Sequence, residues 1–275
     1  MRYEQAQDLL PQEFKRLYGV KRYTFEVMVE AMRQHNSLKK KDSGNPKLTL
    51  EDQVLVALQY WREYRTYFHI AQDWGVSEST ICRTVHKVEI VLMRSGRFRL
   101  PGKKSLRLGL IPDTIAVDVT ESPIERPQRG QKQFYSGKQK RHTFKSQLVI
   151  DLSTHQIICM AHGKGRRHDF HLWKASRVQL HPRTKGLGDR GYQGLAKLHA
   201  NSQTPKKKPR NQQLSVTDKR ANRELARLRV VVEHVNRQLK IFRILGERYR
   251  NRRRRFGLRC NLIAAFYNFE LELAG

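Results

Sequence analysis

The sequence has three cysteines, Cys82, Cys159 and Cys260, too far apart for a CxxC zinc pattern or a disulfide framework. No apolar run nears the ~18 residues that a membrane helix needs. The N-terminus has no cationic start leading into an apolar stretch, so no secretory signal is expected. Acids are also scarce. Against 55 Lys and Arg stand 25 Asp and Glu, a formal charge of +30 and a pI near 10.5. So large an excess is hard to explain as solubility tuning and points to a polyanion, most often nucleic acid, whose condensed counterions are released on binding. Charge alone leaves a non-catalytic binder of ribosomal or chromatin type as open as an enzyme.

With 275 residues the chain can hold one large domain or two modest ones. Two characters follow one another along it. Residues 1–35 read as helical, with Leu9, Leu10, Phe14, Leu17 and Tyr18 on one face. A polar loop spans Lys39–Pro46, and a second helical pattern carrying Leu50, Val54, Leu58 and Trp61 runs on to about Met93. The segment Arg94–Lys104 reads as a join. Beyond it, 114–119, 143–151 and 155–161 read as strands. A helix is expected from about 168, a short strand leading to Asp189, and a helix after Gly191. A basic loop (Pro205–Arg210) comes next, then a long helix over 217–243 and a last one over 256–272. The apolar seam of the long helix is Leu225, Leu228, Val232, Val235, Leu239 and Phe242. The expected domains are 1–100, helical, and 101–275, mixed α/β.

Residues 66–92 fit a helix-turn-helix. Ile70 and Ala71 lie on the first helix and Gly75 supplies the turn. Val76 fills the space between helices, Ser77 caps the second helix, and Ile81 and Val85 anchor it. Ser79, Thr80 and Arg83 are then free to meet bases and phosphates. A plain helical hairpin would share the pattern, but so cationic a chain favours DNA contact. Lys206, Lys207 and Lys208, with Pro209-Arg210, form one basic run, and Lys138–Arg141 and Arg252–Arg255 form two more.

Three acids sit in unlike surroundings. Asp118 lies in a strand with Ala116 on its own face, and Ile115, Val117 and Val119 on the other. Asp189 opens the turn Gly188-Asp189-Arg190-Gly191-Tyr192-Gln193-Gly194, at the edge where ligands collect in open sheets with parallel strands. Glu233 lies on the long helix, with Arg229 and Lys240 on its face, although Arg-x3-Glu is more often a surface ion pair. Carboxylates meet DNA phosphates well only with a divalent cation between them. Glu121, Glu125 and Asp169 are competing ligands, and Tyr192 either orients a strand or simply packs. His162, His168 and His171 could bind a transition metal, but their His-x5-His-x2-His spacing is loose and favours ordinary polar placement or phosphate contact.

Together, Asp118-Val119-Thr120-Glu121 with Ile124–Pro127, the Gly188–Gly194 block and Arg229-x3-Glu233-x6-Lys240 resemble the DDE-superfamily transposases of bacterial insertion sequences. Ala226, where a neighbouring branch carries Tyr, argues for the insertion-sequence-five branch, which is similar to Harbinger-type transposases, or else for reduced activity. The resemblance implies a ribonuclease-H-like domain with catalytic, metal-holding Asp118, Asp189 and Glu233. It also implies two Mg²⁺ ions (Mn²⁺ substituting), and cleavage and strand transfer at terminal inverted repeats. The implied partners are double-stranded DNA and at least one further copy of the chain, in the cytoplasm at the bacterial nucleoid. A domesticated, non-catalytic DNA-binding derivative is the rival, and a nuclease without strand transfer would share the site.

Overall fold

The computed structural model describes residues 1–38, 47–108, 111–209, 212–251 and 253–273. The expected loop at Lys39–Pro46, together with Arg210 and Arg252 of the basic runs, lies outside them. The chain forms two compact units: Met1–Arg99 with Leu239–Glu247 and Asn251–Gly275, and Leu100–Gln238 with Arg248–Arg250.

The front of the first unit is helical throughout. The run expected over 1–35 is three helices: α1 (Tyr3–Ala6), α2 (Pro11–Tyr18) and α3 (Arg22–Ser37). Pro11 starts α2, and Gly19, at φ +82°, ends it in a conformation that side chains avoid. Phe14 and Tyr18 are buried as expected, but Leu10, the residue ahead of Pro11, is exposed. Next come α4 (Leu50–Glu63), α5 (Tyr67–Trp74) and α6 (Glu78–Arg94). The α5–α6 pair is the expected helix-turn-helix. Gly75 takes φ +62° between the helices, with nothing within 4 Å of where a Cβ would stand, so the turn needs its conformation rather than its small size. The Ser77 Oγ accepts from the Thr80 amide (3.3 Å), while Ile81 and Val85 are fully buried.

The second unit is built on a mixed sheet. Its elements are β1 (Thr114–Pro123), α7 (Gln131–Phe134), β2 (Tyr135–Ser136), β3 (Arg141–Asp151), β4 (Ile157–Lys164), α8 (Asp169–Ser176), β5 (Lys185–Leu187), β6 (Ser202–Gln203) and α9 (Val216–Lys240). Strands β1, β3 and β4 are antiparallel neighbours, while β5 pairs parallel with β1 and β6 parallel with β5. This is an α/β arrangement with Asp118 on the first strand and Asp189 just past a later one. One face packs Ile115 and Val117 of β1 on Val149, Trp173, Tyr192 and Leu195. The helix expected after Gly191 is instead two 3₁₀ turns, Arg190–Tyr192 and Leu195–Lys197. Two glycines within four residues, Gly194 at φ +97°, oppose a continuous helix. On α9, Leu225, Val232, Val235 and Leu239 are buried, but Leu228, on the same stripe, is half exposed, in the first half of the helix where most side chains face solvent.

The chain then returns to the first unit as α10 (Arg243–Gly246) and α11 (Phe256–Glu272). The expected single domain over 101–275 therefore loses its C-terminal part. The physical reason is Glu89 of α6, fully buried and held by Arg259 (2.5 Å), Arg255 (2.6 Å) and the Trp61 indole (3.3 Å). Phe242 also closes on Gly19, its ring 2.8 Å from where a Cβ would lie. Arg255, expected to track phosphates, is thus a structural counter-ion. Removing one partner of such a group strands a buried charge, so Glu89→Ala is expected to lower stability by about 3–5 kcal/mol. Urea unfolding monitored by Trp fluorescence checks this, and a loss below about 1 kcal/mol contradicts it.

Candidate active site

The site begins where two parallel strands part. The β1–β5 ladder ends at Ala116↔Leu187, and Asp118 and Asp189 each lie two residues beyond that last pair (118 − 116 and 189 − 187). Asp189 thus leaves the carboxyl end of β5, while Asp118 lies within β1, which runs on to Pro123 against β3 after its parallel partner has ended, so both flank the gap that opens beyond β5. The Asp189 carboxylate caps the first 3₁₀ turn, its Oδ1 accepting from the Gly191 amide at 2.8 Å.

Asp118 is mostly buried beneath α9. Arg229 donates to its Oδ1 (3.0 Å) and the Asn236 amide to its Oδ2 (3.2 Å), one partner on each side of the carboxylate. Residues seven apart on a helix stand nearly in line, which is why both reach the same acid. Burial, joined by the charges of Asp189 and Asp169, pushes the Asp118 carboxyl up to about 6 against the pull of Arg229. Two polar atoms here, Arg229 Nε and Asn236 Oδ1, are buried without a hydrogen-bond partner.

A third acid joins from α8. A Cβ on Gly191 would stand 2.6 Å from Asp169 Oδ2 and 3.0 Å from Asp189 Oδ1, so the two carboxylates flank one point and only glycine leaves them room. Lys145, itself buried, holds Asp169 at 2.8 Å and reaches Glu121 at 3.8 Å, while Thr143 donates to Glu121 at 2.7 Å. Asp169 was only a competing ligand in the sequence. What could have flagged it is its place at the first turn of a helix beside His168, but nothing in the chain order brings it to Asp189.

The remaining expected residues fall as follows. Glu233 is exposed on the shoulder of α9, one turn from Arg229, and is not among the groups that act on the Asp118 charge. Lys240, the exposed last residue of α9, belongs to the first unit. Lys207 and Lys208 are exposed, whereas Lys206 is tied to Asp218 (2.9 Å) and to Asn222 through its backbone. Ser79 and Arg83 are exposed at the start of α6, and Thr80 is half-buried. Tyr192 is fully buried against Trp173, so it packs, its hydroxyl donating to Gln147 at 3.4 Å. His162 sits against Ser146 (3.0 Å), and burial lowers it to about 4, which keeps it neutral.

The donor chemistry suits a hard divalent cation. Asp118 and Asp189 offer carboxylate oxygens, and a cation would relieve both the desolvation and the mutual repulsion that raise Asp118. Among the described residues, however, no group of three or more His, Cys, Asp or Glu stands ready to hold a metal ion. The trio expected from sequence is therefore not assembled here: two of its members are neighbours and Glu233 stands aside.

Comparison with known proteins agrees with this fold. Residues 117–268 match the family described as DDE superfamily endonuclease, and residues 46–98 match its helix-turn-helix, so the chain belongs to the DDE endonuclease superfamily. It is 56% identical over 274 residues, covering 99% of each chain, to a protein of Microchaete diplosiphon described as a probable transposase for insertion sequence element IS702. No solved structure matches the chain.

Two outcomes test the electrostatics. Because folding raises the Asp118 pKa from 3.8 to about 6, its charged form opposes folding. Stability from this group is full below about pH 4 and falls as pH rises toward 6. Asp118→Asn should then stabilise the metal-free protein above pH 6 by roughly 1–3 kcal/mol and make no difference near pH 3. Thermal melts across pH read this, and a destabilised variant at pH 7.5 refutes it. Gly191→Ala should push the Asp169 carboxylate off Lys145, lowering stability by about 1–3 kcal/mol and weakening Mn²⁺ binding measured calorimetrically, and unchanged stability and binding would refute the crowding.

Proposed function

We propose that the chain is a transposase that binds the terminal inverted repeats of an insertion sequence and performs metal-dependent cleavage and strand transfer. The observation that carries this reading is the meeting of Asp118 and Asp189 just beyond the end of the parallel β1–β5 ladder, in a chain 56% identical throughout to a probable transposase. Asp118 and Asp189 would hold the cation. A bound Mg²⁺ or Mn²⁺ would supply activation of water and stabilisation of the departing 3′-oxygen.

The protein's own groups do the rest. The Asn236 amide fixes the orientation of Asp118. Arg229 holds the Asp118 charge in the free protein and, with Nε unspent, can turn to a phosphate oxygen once a cation takes over the carboxylate. Glu233, a turn away on the same helix, is proposed as the third acid, delivered by rotation of its side chain and of the helix shoulder. Ser79, Thr80 and Arg83 read the major groove at the element's end, while Lys207, Lys208 and Lys240 follow phosphates. Two ends must be brought together, so the working form is at least a dimer, acting on chromosomal and element DNA in the bacterial cytoplasm.

The test is a labelled element end incubated with Mg²⁺, scored for nicks and joined products. Asp118→Asn and Asp189→Asn are expected to lower cleavage by at least about 10³-fold while end binding persists. Glu233→Gln should lower it comparably. Cleavage by either Asp variant at the wild-type rate would overturn the reading, and a wild-type rate from Glu233→Gln would remove that residue from the mechanism.

A further inference from the structure

A second cationic surface lies on the catalytic unit, built from residues that the site above does not use. Two open cavities of about 410 Å³ and 560 Å³ adjoin each other at the far end of the β3–β4 hairpin. Lys164, Arg166, Arg167, His168 and His171 line the first, and Arg126, Lys132, Tyr135 and His142 the second, with Arg166 common to both. Neither lining contains a carboxylate.

These cations are not there to balance buried acids. Among the described residues, the ion pairs of this unit are made by Lys145, Lys206, Arg220 and Arg229, and none of the five Lys and Arg of the two cavities takes part. All five are exposed. They are held only by neutral groups: the Lys164 ammonium lies over the Phe134 ring at 5.5 Å and donates to Gln133 Oε1, Arg126 Nε donates to Gln131 Oε1 (3.0 Å), and the Arg166 backbone amide donates to the Gln133 carbonyl (3.2 Å). Concentrating like charge without counter-ions is unfavourable unless a polyanion relieves it.

One aromatic ring stands among them. Tyr135 is 43% exposed, its ring set edge-on to His142 at 5.6 Å and 75°, so a face is left open. An aromatic face bordered by cations is what an unpaired nucleotide needs: stacking for the base and charge for the phosphates. Each cavity is large enough for a nucleotide-sized ligand, a class that occupies roughly 300–1,000 Å³. The surface also adjoins the acid cluster. His168, lining the first cavity, immediately precedes Asp169, and His142 shares β3 with Lys145.

We propose that this basin grips an unpaired DNA strand leading away from Asp118 and Asp189, with phosphates on Arg166 and its neighbours and a base stacked on Tyr135. The proposal rests on the transposase reading, which supplies single strands when a duplex end is opened for cleavage. It differs from the helix-turn-helix contact in needing no duplex and no sequence.

The probe is a fluorescein-labelled oligothymidylate of about 20 nucleotides, titrated by anisotropy with the full chain from about 50 to 300 mM salt. Arg166→Ala, joined by Lys164→Ala to remove a second cation, should weaken binding about tenfold and flatten the log–log salt slope by about 0.7 for each phosphate left unneutralised. Tyr135→Ala should weaken binding about tenfold with the salt slope unchanged, because stacking releases no counterions, and Tyr135→Phe should restore it. Circular dichroism confirms that each variant folds. Wild-type affinity and slope in the double cation variant, or wild-type affinity in Tyr135→Ala, would overturn the proposal. Magnesium-dependent cleavage of a duplex end is scored separately with Asp118→Asn. The anisotropy titrations are run without metal and read the basin alone, while cleavage reads the acids, so failure of the basin and failure of the catalytic reading are told apart.

Discussion

One contact organises the second unit: the clamp of Arg229 and Asn236 on Asp118. A carboxylate on a buried strand is costly without partners. Here the cost is only partly offset, by a helix more than a hundred residues later in the chain, and the same contact joins α9 to the sheet. The charge of Asp118 is compensated but not extinguished, as its raised pKa and its coupling to Asp189 and Asp169 show. An acid kept in that condition is suited to a ligand that carries stronger positive charge than a guanidinium.

A similar economy governs the first unit. Glu89 needs Arg255 and Arg259, so the last helix must return to the helix-turn-helix half of the molecule. The chain therefore leaves one unit, builds the sheet, and comes back. In both units a buried carboxylate ties together segments distant in sequence, and in both the cation is arginine, whose planar fork offers several donors at fixed angles. Apart from Lys145, which is buried on Asp169, most of the other Lys and Arg among the described residues stay at the surface, where they are available to a polyanion.

Much of the local structure was legible because local rules decided it. The Gly75 turn, the Ser77 cap and the buried Ile81 and Val85 follow from short-range geometry, and the apolar and polar alternation around Asp118 announced which face it shares with Ala116. Where the reading erred, a competing local preference or a distant contact prevailed. Gly191 and Gly194 broke the expected helix after Asp189, and Leu228, though on the apolar stripe of α9, lies in its largely uncovered first half. Arg255 looked like a phosphate contact because a basic run cannot show which of its members is spent on Glu89.

The sequence by itself determined the class of the molecule: a cationic, helix-first chain with a helix-turn-helix, a later sheet, and acids placed on a strand, a turn and a helix. Periodicity, turn chemistry and net charge suffice for that, since each acts within a few residues or on the whole chain at once. Only the tertiary structure decided which acids meet. Asp169 joins Asp189 across Gly191, Lys145 holds it there, and Glu233 stands on the outer shoulder of its helix. Such meetings depend on strand register and on the rotation of a helix about its own axis. A turn of a few tens of degrees moves a carboxylate from the site to the solvent while leaving the pattern of apolar residues that specified the helix unchanged.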